Sequence, residues 1–139
     1  MVKVSKATKR AIKKFNEEQW HGVDVEHYGK PVNWNEKEFV FKATEDGEII
    51  GSITGKHESG VLYVGGLIVA QRARGKGIGK ALMEKAEEFG KKEGAHKAHL
   101  ITGKDWQAAN FYEALGYVKV ADLPKHHFKR DFAIYEKLI

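Results

Sequence analysis

Three glycines and four basic side chains stand together within nine positions of this sequence. The stretch RARGKGIGK covers residues 72–80, directly after an apolar run typical of a strand and directly before a helical pattern. A strand that turns into a helix aims unpaired backbone N–H groups at one point, where the positive end of the helix dipole also lies. Glycine lets an anionic oxygen approach those groups, and arginine and lysine add charge-assisted contacts. The sequence therefore predicts a phosphate site at this turn, with an exposed basic loop as the alternative.

Two familiar phosphate motifs do not fit this turn. The mononucleotide P-loop needs Gly-Lys followed by Ser or Thr, but Gly79-Lys80 is followed by Ala81, and Arg74 stands at the position of its first glycine. The dinucleotide pattern G-x-G-x-x-G would require glycine at Lys80 or at Leu82. The anion at this turn is therefore expected to be held in another way.

The pattern that does fit is Arg74-x-x-Gly77-x-Gly79 after the apolar run, which resembles the acyl-CoA-binding motif of the GNAT family of N-acetyltransferases. The later segment DWQAANFYEALGY, residues 105–117, is similar to a helix of that family that carries Phe-Tyr and ends at Gly-Tyr or Gly-Phe. The two motifs stand in the family's order and separation. The resemblance covers about residues 35–139 and is weaker before them.

The resemblance implies acetyl-CoA as co-substrate. The backbone of Leu67, Ile68 and Val69 would pair with the pantetheine arm as an added strand, and Gly65-Gly66 would form the bulge found there in relatives. The amides of residues 74–80 would cradle the pyrophosphate, and the basic side chains would screen its charge. The residues expected to bind the cofactor are Leu67, Ile68, Val69, Arg72, Arg74, Gly75, Lys76, Gly77, Ile78, Gly79, Lys80 and Asp105.

The resemblance also implies roles for two residues of the later motif. Tyr112 would place its phenol near the thioester sulfur, where it hydrogen-bonds or protonates the departing thiolate. Asp105 stands seven residues before it, where many relatives have an asparagine that contacts the pantetheine. Because aspartate accepts but cannot donate as an amide does, Asp105 either makes part of that contact or only caps its helix.

The general base is not identified by the sequence. Several relatives carry a glutamate eleven positions before the motif arginine, and this chain has Tyr63 there. Six other side chains are candidates with solvated surface as the alternative for each: His57, Glu58, Glu17, Glu18, His21 and His27. The pair His126-His127 could suggest a metal, but adjacent histidines point differently and no third ligand is evident, so no metal is expected.

The elements around these motifs predict an α/β (α+β) fold, in which helices flank a mixed, mostly antiparallel sheet. A helix is expected over residues 8–18 with Ser5 or Thr8 as its N-cap, and then a loop over 20–35 that holds at most a short helix. Three antiparallel strands should follow from Glu38, joined by turns that Asp-Gly and Ser-Gly favour.

The second half of the sequence continues this pattern. A helix of about four turns is expected after the glycine turn, stopped by Gly94. The run AHKAHLIT predicts a strand, Asp105 can cap a helix through Leu115, and two terminal strands complete the order. We expect one domain over residues 1–139.

Composition limits the remaining classes of function. The chain of 139 residues has no cysteine, which excludes disulfides, cysteine-ligated metals and a cysteinyl acyl-enzyme. It has no apolar run of about 18 residues, so a cytoplasmic protein away from the membrane is expected. The net charge of +5 favours an anionic partner. Nucleic acid is not expected as that partner, although a basic nucleic-acid-binding module stays open as a lesser alternative.

The expected reaction is acetyl transfer to a primary amine by direct attack in a ternary complex. The acceptor, on a small molecule or on a protein or peptide, is not identified, and residues 16–37 and 121–131 are expected to shape its pocket. A CoA-binding regulatory domain without catalysis is the nearer alternative. A homodimer is left open.

Overall fold

The computed structural model describes all of residues 1–139, which divide into two compact units, residues 1–34 and residues 35–139. The first unit is dominated by helix α1, Lys9–Tyr28. Thr8 is its N-cap, and the threonine side chain accepts a hydrogen bond of 3.1 Å from the N–H of Ala11. The predicted start is therefore confirmed.

The predicted end of α1 is wrong, because the helix continues ten residues beyond Glu18. It passes through Gly22, a residue that costs a helix only about 1 kcal/mol relative to alanine and does not by itself stop it. Gly29 ends the helix in the left-handed conformation, with φ of 74°, and its N–H donates to the carbonyl of Val25. Near this end the indole N–H of Trp34 donates to the buried carboxylate of Asp24 at 3.0 Å.

The second unit is built on one six-stranded sheet. Its strands are β1 Lys37–Glu45, β2 Glu48–Glu58, β3 Val61–Val69, β4 Lys97–Gly103, β5 Val118–Leu123 and β6 Phe132–Leu138. Their order across the sheet is β1-β2-β3-β4-β6-β5, and every pair is antiparallel except β3 with β4. The predicted mixed, mostly antiparallel sheet and the predicted order of elements are confirmed. None of the helices combines the length and the apolar character that a membrane span requires.

The turns between the first three strands follow the predicted chemistry. Asp46 and Gly47 have φ of 51° and 81°, and Ser59 and Gly60 have φ of 51° and 86°. Two successive residues with positive φ match the right-handed twist of the flanking strands, which explains why these dipeptides form tight hairpins. The hairpins fix the register that brings β3 into the middle of the sheet.

Helix α2, Ile78–Lys92, covers one face of the sheet. It buries Leu82, Met83 and Ala86 against Leu62 and other core residues of the strands. The spacing of these side chains is that of one helical face, as the sequence predicts. The helix ends near Gly94, which has φ of 94° as expected of its stop.

Helix α3, Gln107–Ala114, ends in a Schellman motif that sets the position of Tyr112. Gly116 has φ of 95° and donates to the carbonyl of Glu113, and the N–H of Tyr117 donates to the carbonyl of Tyr112 at 3.0 Å. The rings of the two tyrosines pack edge to face with centroids 6.0 Å apart. The sequence Tyr-Glu-Ala-Leu-Gly-Tyr therefore forms one rigid helix end.

The start of α3 differs from the prediction. Its N-cap is Trp106, no side chain caps it, and Asp105 has φ of 67° in the preceding turn. Aspartate tolerates this left-handed conformation, and in it Asp105 lies one residue too early to cap the helix. The predicted capping role of Asp105 is therefore wrong.

A bulge in β3 separates it from β4. Thr54 pairs with Gly66 and Gly55 pairs with Val64, so Gly65 is an extra residue without a partner on β2. The parallel pairing of β3 with β4 covers only three residues on each strand and ends at Tyr63 and His99. Since a bulge bends its strand, the remainder of β3 diverges from β4 and a gap opens in the sheet. The predicted bulge at Gly65-Gly66 is confirmed.

Candidate active site

The gap exposes main-chain groups along one edge of β3. The N–H of Ala70 donates to Ile50 of β2 at 2.8 Å. In an antiparallel strand the main-chain N–H and C=O groups of successive residues point to opposite sides. Ile68, two residues before Ala70, therefore also directs its main-chain groups toward β2, whereas Leu67 and Val69 direct theirs toward the gap. The expectation that Ile68 offers its amide to a ligand is therefore wrong, while Leu67 and Val69 form a strand edge that is not paired with β4 and whose N–H groups are free.

The glycine turn lies at the end of that edge and carries unpaired donors. Within the protein, no hydrogen bond uses the N–H groups of residues 75–80. The first three amides of α2 lack partners because the helix has no preceding turn, and Gly77 at its N-cap has no side chain to supply one. The N–H of Arg74 is different, since it donates to the carbonyl of Gln71 at 3.3 Å. The predicted cradle of amides therefore begins at residue 75.

Glycine is required at the three positions of the turn on two different structural grounds. Gly75 and Gly77 have φ of 79° and 81°, and a Cβ on either would meet nothing within 4 Å. They are required by the left-handed backbone, and they leave open space beside the amides. Gly79 has an ordinary φ, but a Cβ there would lie 3.2 Å from the ring of Phe111. Gly79 thus allows the start of α2 to pack closely against α3.

The basic residues of the turn do not all face the same way. Arg74 and Lys80 line the cleft beside the glycines, and the Nε of Arg74 donates to the carbonyl of Val69 at 3.2 Å. Arg72 instead forms an ion pair of 2.8 Å with Glu48, at the turn that joins β1 to β2. Lys76 is exposed and lies outside the cleft lining. The ion pair of Arg72 therefore does not support the expectation that it screens the bound anion, and the role expected of Lys76 stays a prediction.

The free strand edge, the turn and α3 enclose one cleft of about 610 Å³. Gln107, Ala108, Phe111 and Tyr112 form its α3 wall. A long, narrow anionic ligand fits this arrangement, because main-chain donors lie along one side and at one end, with apolar side chains opposite. The cleft thus offers unpaired amides and basic side chains that suit a diphosphate. It also offers a strand edge that suits an extended, amide-containing arm attached to that diphosphate.

Tyr112 brings a neutral phenol to the wall of the cleft. Its side chain is 8% exposed, and its hydroxyl makes no hydrogen bond within the protein, although it is not fully enclosed. Burial raises the pKa of Tyr112, so the phenol keeps its proton at neutral pH. The neighbouring hydroxyl of Tyr117 is completely buried without a partner. Burial, with Glu87 as a further cause, raises the pKa of Tyr117 as well.

Asp105 lies outside the cleft. It lines a separate hollow of about 390 Å³ on the other side of α3, together with Lys104, Glu113, Lys119 and Tyr135. The residues of α3 that face the cleft and those that face this hollow are different ones. The proposed cofactor site therefore does not include Asp105.

The two predicted bases on β2 already have partners within the protein. His57 is 1% exposed, its Nδ1 lies 2.9 Å from the carbonyl of Asn35, and its Nε2 accepts from the N–H of Gly60 at 3.0 Å. These bonds fix a neutral ring with the proton on Nδ1, so both nitrogens are occupied. Glu58 forms an ion pair of 3.3 Å with Lys56. Neither residue is a free base.

The helical residues among the predicted bases show no special environment. On α1, Glu17 and Glu18 form ion pairs with the lysines four residues before them, at 2.6 Å and 4.0 Å. His21 and His27 are exposed on the same helix. Their assignment as bases gains no support within residues 1–34.

A half-buried histidine that the sequence did not single out lies where β3 and β4 separate. His99 is the partner of Tyr63 in the parallel register, and their ring centroids are 5.0 Å apart. Burial lowers the pKa of His99, and Lys97 lowers it further, while Glu136 acts in the opposite direction. The imperfect alternation of AHKAHLIT hid this residue, since His99 points away from the core that buries its neighbours Ala98 and Leu100.

The histidine pair of the β5–β6 loop is an aromatic cluster. The rings of His126 and His127 are 4.3 Å apart, and both pack on Phe132 with centroids 5.6 Å and 4.9 Å away. No group of three or more His, Asp or Glu side chains converges as a set of metal ligands.

A mixed sheet that splits between its two parallel strands, followed by a glycine-rich turn with unpaired amides at a helix N-terminus, is the fold of acyl-CoA-dependent acetyltransferases. The chain belongs to the GNAT family of acetyltransferases, whose family model matches residues 8–117. It is 33% identical over 87 residues to the blasticidin-S acetyltransferase of Streptomyces morookaense, covering 63% of this chain and 64% of that relative. The chain spans less than two thirds of the length of the curated relatives it matches.

Solved structures agree with this assignment of the fold. An acetyltransferase from Bacillus cereus ATCC 14579 has a TM-score of 0.76 at 20% identity, covering 99% of this chain and 98% of that one. A GNAT acetyltransferase from Elizabethkingia anophelis, solved with acetyl-CoA bound, has a TM-score of 0.65 at 16% identity. The match covers 72% of this chain and 75% of that one. The family and fold predictions are confirmed.

Proposed function

We propose that this protein transfers an acetyl group from acetyl-CoA to a primary amine, by direct attack within a ternary complex. The observation that carries the proposal is the cleft, in which the free strand edge of Leu67 and Val69 leads to the unpaired amides of residues 75–80. Family membership supports the same reaction. In this proposal residues 1–139 act as one acetyltransferase domain in the cytoplasm.

Each part of the cleft has a role in binding. Acetyl-CoA supplies an acetyl thioester, whose attack by a neutral amine gives an amide and a free thiol. The amides of residues 75–80, with Arg74 and Lys80, hold the diphosphate by hydrogen bonds and charge. The N–H groups of Leu67 and Val69 and the C=O of Leu67 hold the arm in an extended form, while the C=O of Val69 accepts from Arg74. An N–H of this edge can polarise the acetyl carbonyl.

Tyr112 stabilises the sulfur as it departs. A thiol ionises near pKa 8.5 and an ordinary phenol near 10, so complete proton transfer from an unshifted phenol to the thiolate costs about 2 kcal/mol. Burial raises the pKa of Tyr112 above that of an ordinary phenol, which makes the transfer still less favourable. We therefore assign Tyr112 as a hydrogen-bond donor to the sulfur, with the final proton coming from the attacking amine.

The experiment that tests the proposal combines binding with turnover. Titration calorimetry with CoA is expected to show one site, and a thiol-release assay with acetyl-CoA is expected to show turnover on at least one member of a panel of amines. The panel covers small alkylamines, peptide N-termini, lysine side chains and blasticidin S, since one relative is named for that acceptor. Absence of both CoA binding and turnover would remove the proposal. Binding without turnover on any amine would select a CoA-binding regulatory domain instead.

A further inference from the structure

The end of the β3–β4 pairing marks where the reacting atoms meet, provided that the proposed function holds. The diphosphate site follows Val69 in the chain, so a ligand arm laid along the edge of β3 runs back from the turn toward Gly65. Its reactive end then lies near the bulge. Tyr63 and His99 form the last pair before the strands separate, and a Cβ on Gly65 would lie 3.5 Å from the ring of Tyr63.

His99 reaches the opposite face of the sheet from α2. Ala98 and Leu100 are fully buried in the core with α2, and strand alternation turns His99 to the other side. Its ring is half-buried and makes no hydrogen bond or ion pair within the protein, in contrast to the doubly bonded ring of His57. Unpaired and beside the gap, His99 can meet an amine that approaches the reactive end from this face.

The charged side chains around His99 are all ion-paired, so the imidazole of His99 is the unpaired proton acceptor at this place. On its own strand Lys97 forms an ion pair of 2.6 Å with Glu136, which is the partner of His99 on β6. On the side of β3, Lys56 is the partner of Tyr63 and is itself paired with glutamates at 3.3 Å and 3.4 Å. Each of these charges has a partner.

We infer that His99 is the general base of this enzyme, accepting a proton from the ammonium form of the acceptor at the gap between β3 and β4. The ammonium gives one proton to the neutral imidazole, and the freed lone pair forms the C–N bond as the C–S bond breaks. Sulfur leaves with that electron pair and takes the second proton of the amine nitrogen, while the imidazolium returns its proton to solvent. The lowered pKa of His99 keeps the ring neutral at pH 7, as this role requires.

The test compares wild type with His99→Gln over pH 6 to 10, using the acceptor found in the amine panel. A positioned base contributes about 10² to 10⁴ in rate, so the variant is expected to lose at least about 100-fold in kcat/KM at pH 7. The wild-type profile should be flat from about pH 6.5 to the pKa of the amine. Without the base only the neutral amine reacts, so the profile of the variant should rise about tenfold per pH unit and the deficit should shrink accordingly.

Two measurements separate this role from a structural one. The imidazole NMR signal that disappears in His99→Gln should titrate in wild type below pH 6.5, and CoA affinity and unfolding temperature should be the same in both proteins. His96→Gln, on the exposed turn before β4, is the matched control and should keep the wild-type profile. If His99→Gln loses stability, His99→Asn replaces it.

The outcomes distinguish two failures. A flat pH profile and near wild-type kcat/KM in His99→Gln would overturn the inference and leave the proposed function intact. Absence of turnover by the wild-type protein on every amine would overturn the proposed function, and the inference with it.

Discussion

Replacing Tyr112 by phenylalanine removes one hydroxyl from the wall of the cleft and nothing else. That hydroxyl makes no hydrogen bond within the protein, so its loss breaks no internal contact and should leave stability unchanged. In the reaction it would donate to a sulfur that gains negative charge, and hydrogen bonds to charged groups contribute about 1.5 to 3 kcal/mol. We therefore expect kcat to fall about 10- to 150-fold.

The raised pKa of Tyr112 adds a second expectation. Because the phenol remains protonated at neutral and mildly basic pH, the ratio of wild-type to Tyr112→Phe rates should be constant between about pH 6 and 9. The assay is thiol release at saturating acetyl-CoA, with calorimetry of CoA and thermal unfolding as controls. An unchanged kcat would refute the assigned role. A loss of CoA affinity equal to the loss of kcat/KM would refute it too, since that pattern indicates binding of the ground state.

The remaining predictions concern stability and the anion site. Tyr117→Phe removes a buried hydroxyl without a partner, and should raise the free energy of unfolding by about 1 kcal/mol, or the unfolding temperature by about 3 to 4 °C. Arg74→Gln should weaken CoA binding about tenfold by calorimetry, whereas Arg72→Gln should change it less than about twofold, because only Arg74 lines the cleft. Gly77→Ala and Gly94→Ala should each lose about 1 kcal/mol of stability in thermal unfolding, since both positions have positive φ, but only Gly77→Ala should also weaken CoA binding.

Most of the fold could be predicted because its signals are local. The dipeptides Asp46-Gly47 and Ser59-Gly60 determine hairpins through their own backbone preferences, and the apolar spacing of α2 reports one buried face. The end of α1 could not be predicted in this way, because Gly22 is a weak helix breaker. The stop at Gly29 became apparent only from its left-handed conformation.

The site was less predictable because it depends on pairing between distant strands. The positive charges of Arg72 and Arg74 look equivalent in sequence, yet Arg72 pairs with Glu48 across a hairpin that precedes it by more than 20 residues. In the sequence His57 was one of six candidate bases with solvated surface as the alternative, and the structure shows that both of its ring nitrogens are hydrogen-bonded. His99 became visible only once the register placed it opposite Tyr63 at the last pair of β3 and β4.

The bulge at Gly65 offers a way to separate the fold from the site. On β2, Gly55 pairs with Val64 and its neighbour Thr54 pairs with Gly66. Deletion of Gly65 would therefore join Val64 directly to Gly66, and the pairing with β2 would become regular. Leu67 and Val69 would stay on the core face, because only the unpaired residue is lost. The deletion should therefore preserve folding while removing the bend that parts β3 from β4.

The straightened β3 should then pair with β4 beyond Tyr63, so that the edge formed by Leu67 and Val69 is no longer free. We expect the amides of Leu67 and Val69 to become protected from hydrogen exchange, while thermal unfolding shows a stability equal to wild type or higher. CoA binding should weaken at least about 30-fold, since two main-chain hydrogen bonds of about 1 kcal/mol each are lost. Gly65→Ala is the matched control, because its Cβ would make only ordinary contacts, the nearest at 3.5 Å, and should leave the bulge and CoA binding intact. A folded deletion variant that binds CoA as tightly as wild type would show that the bulge does not create the cleft.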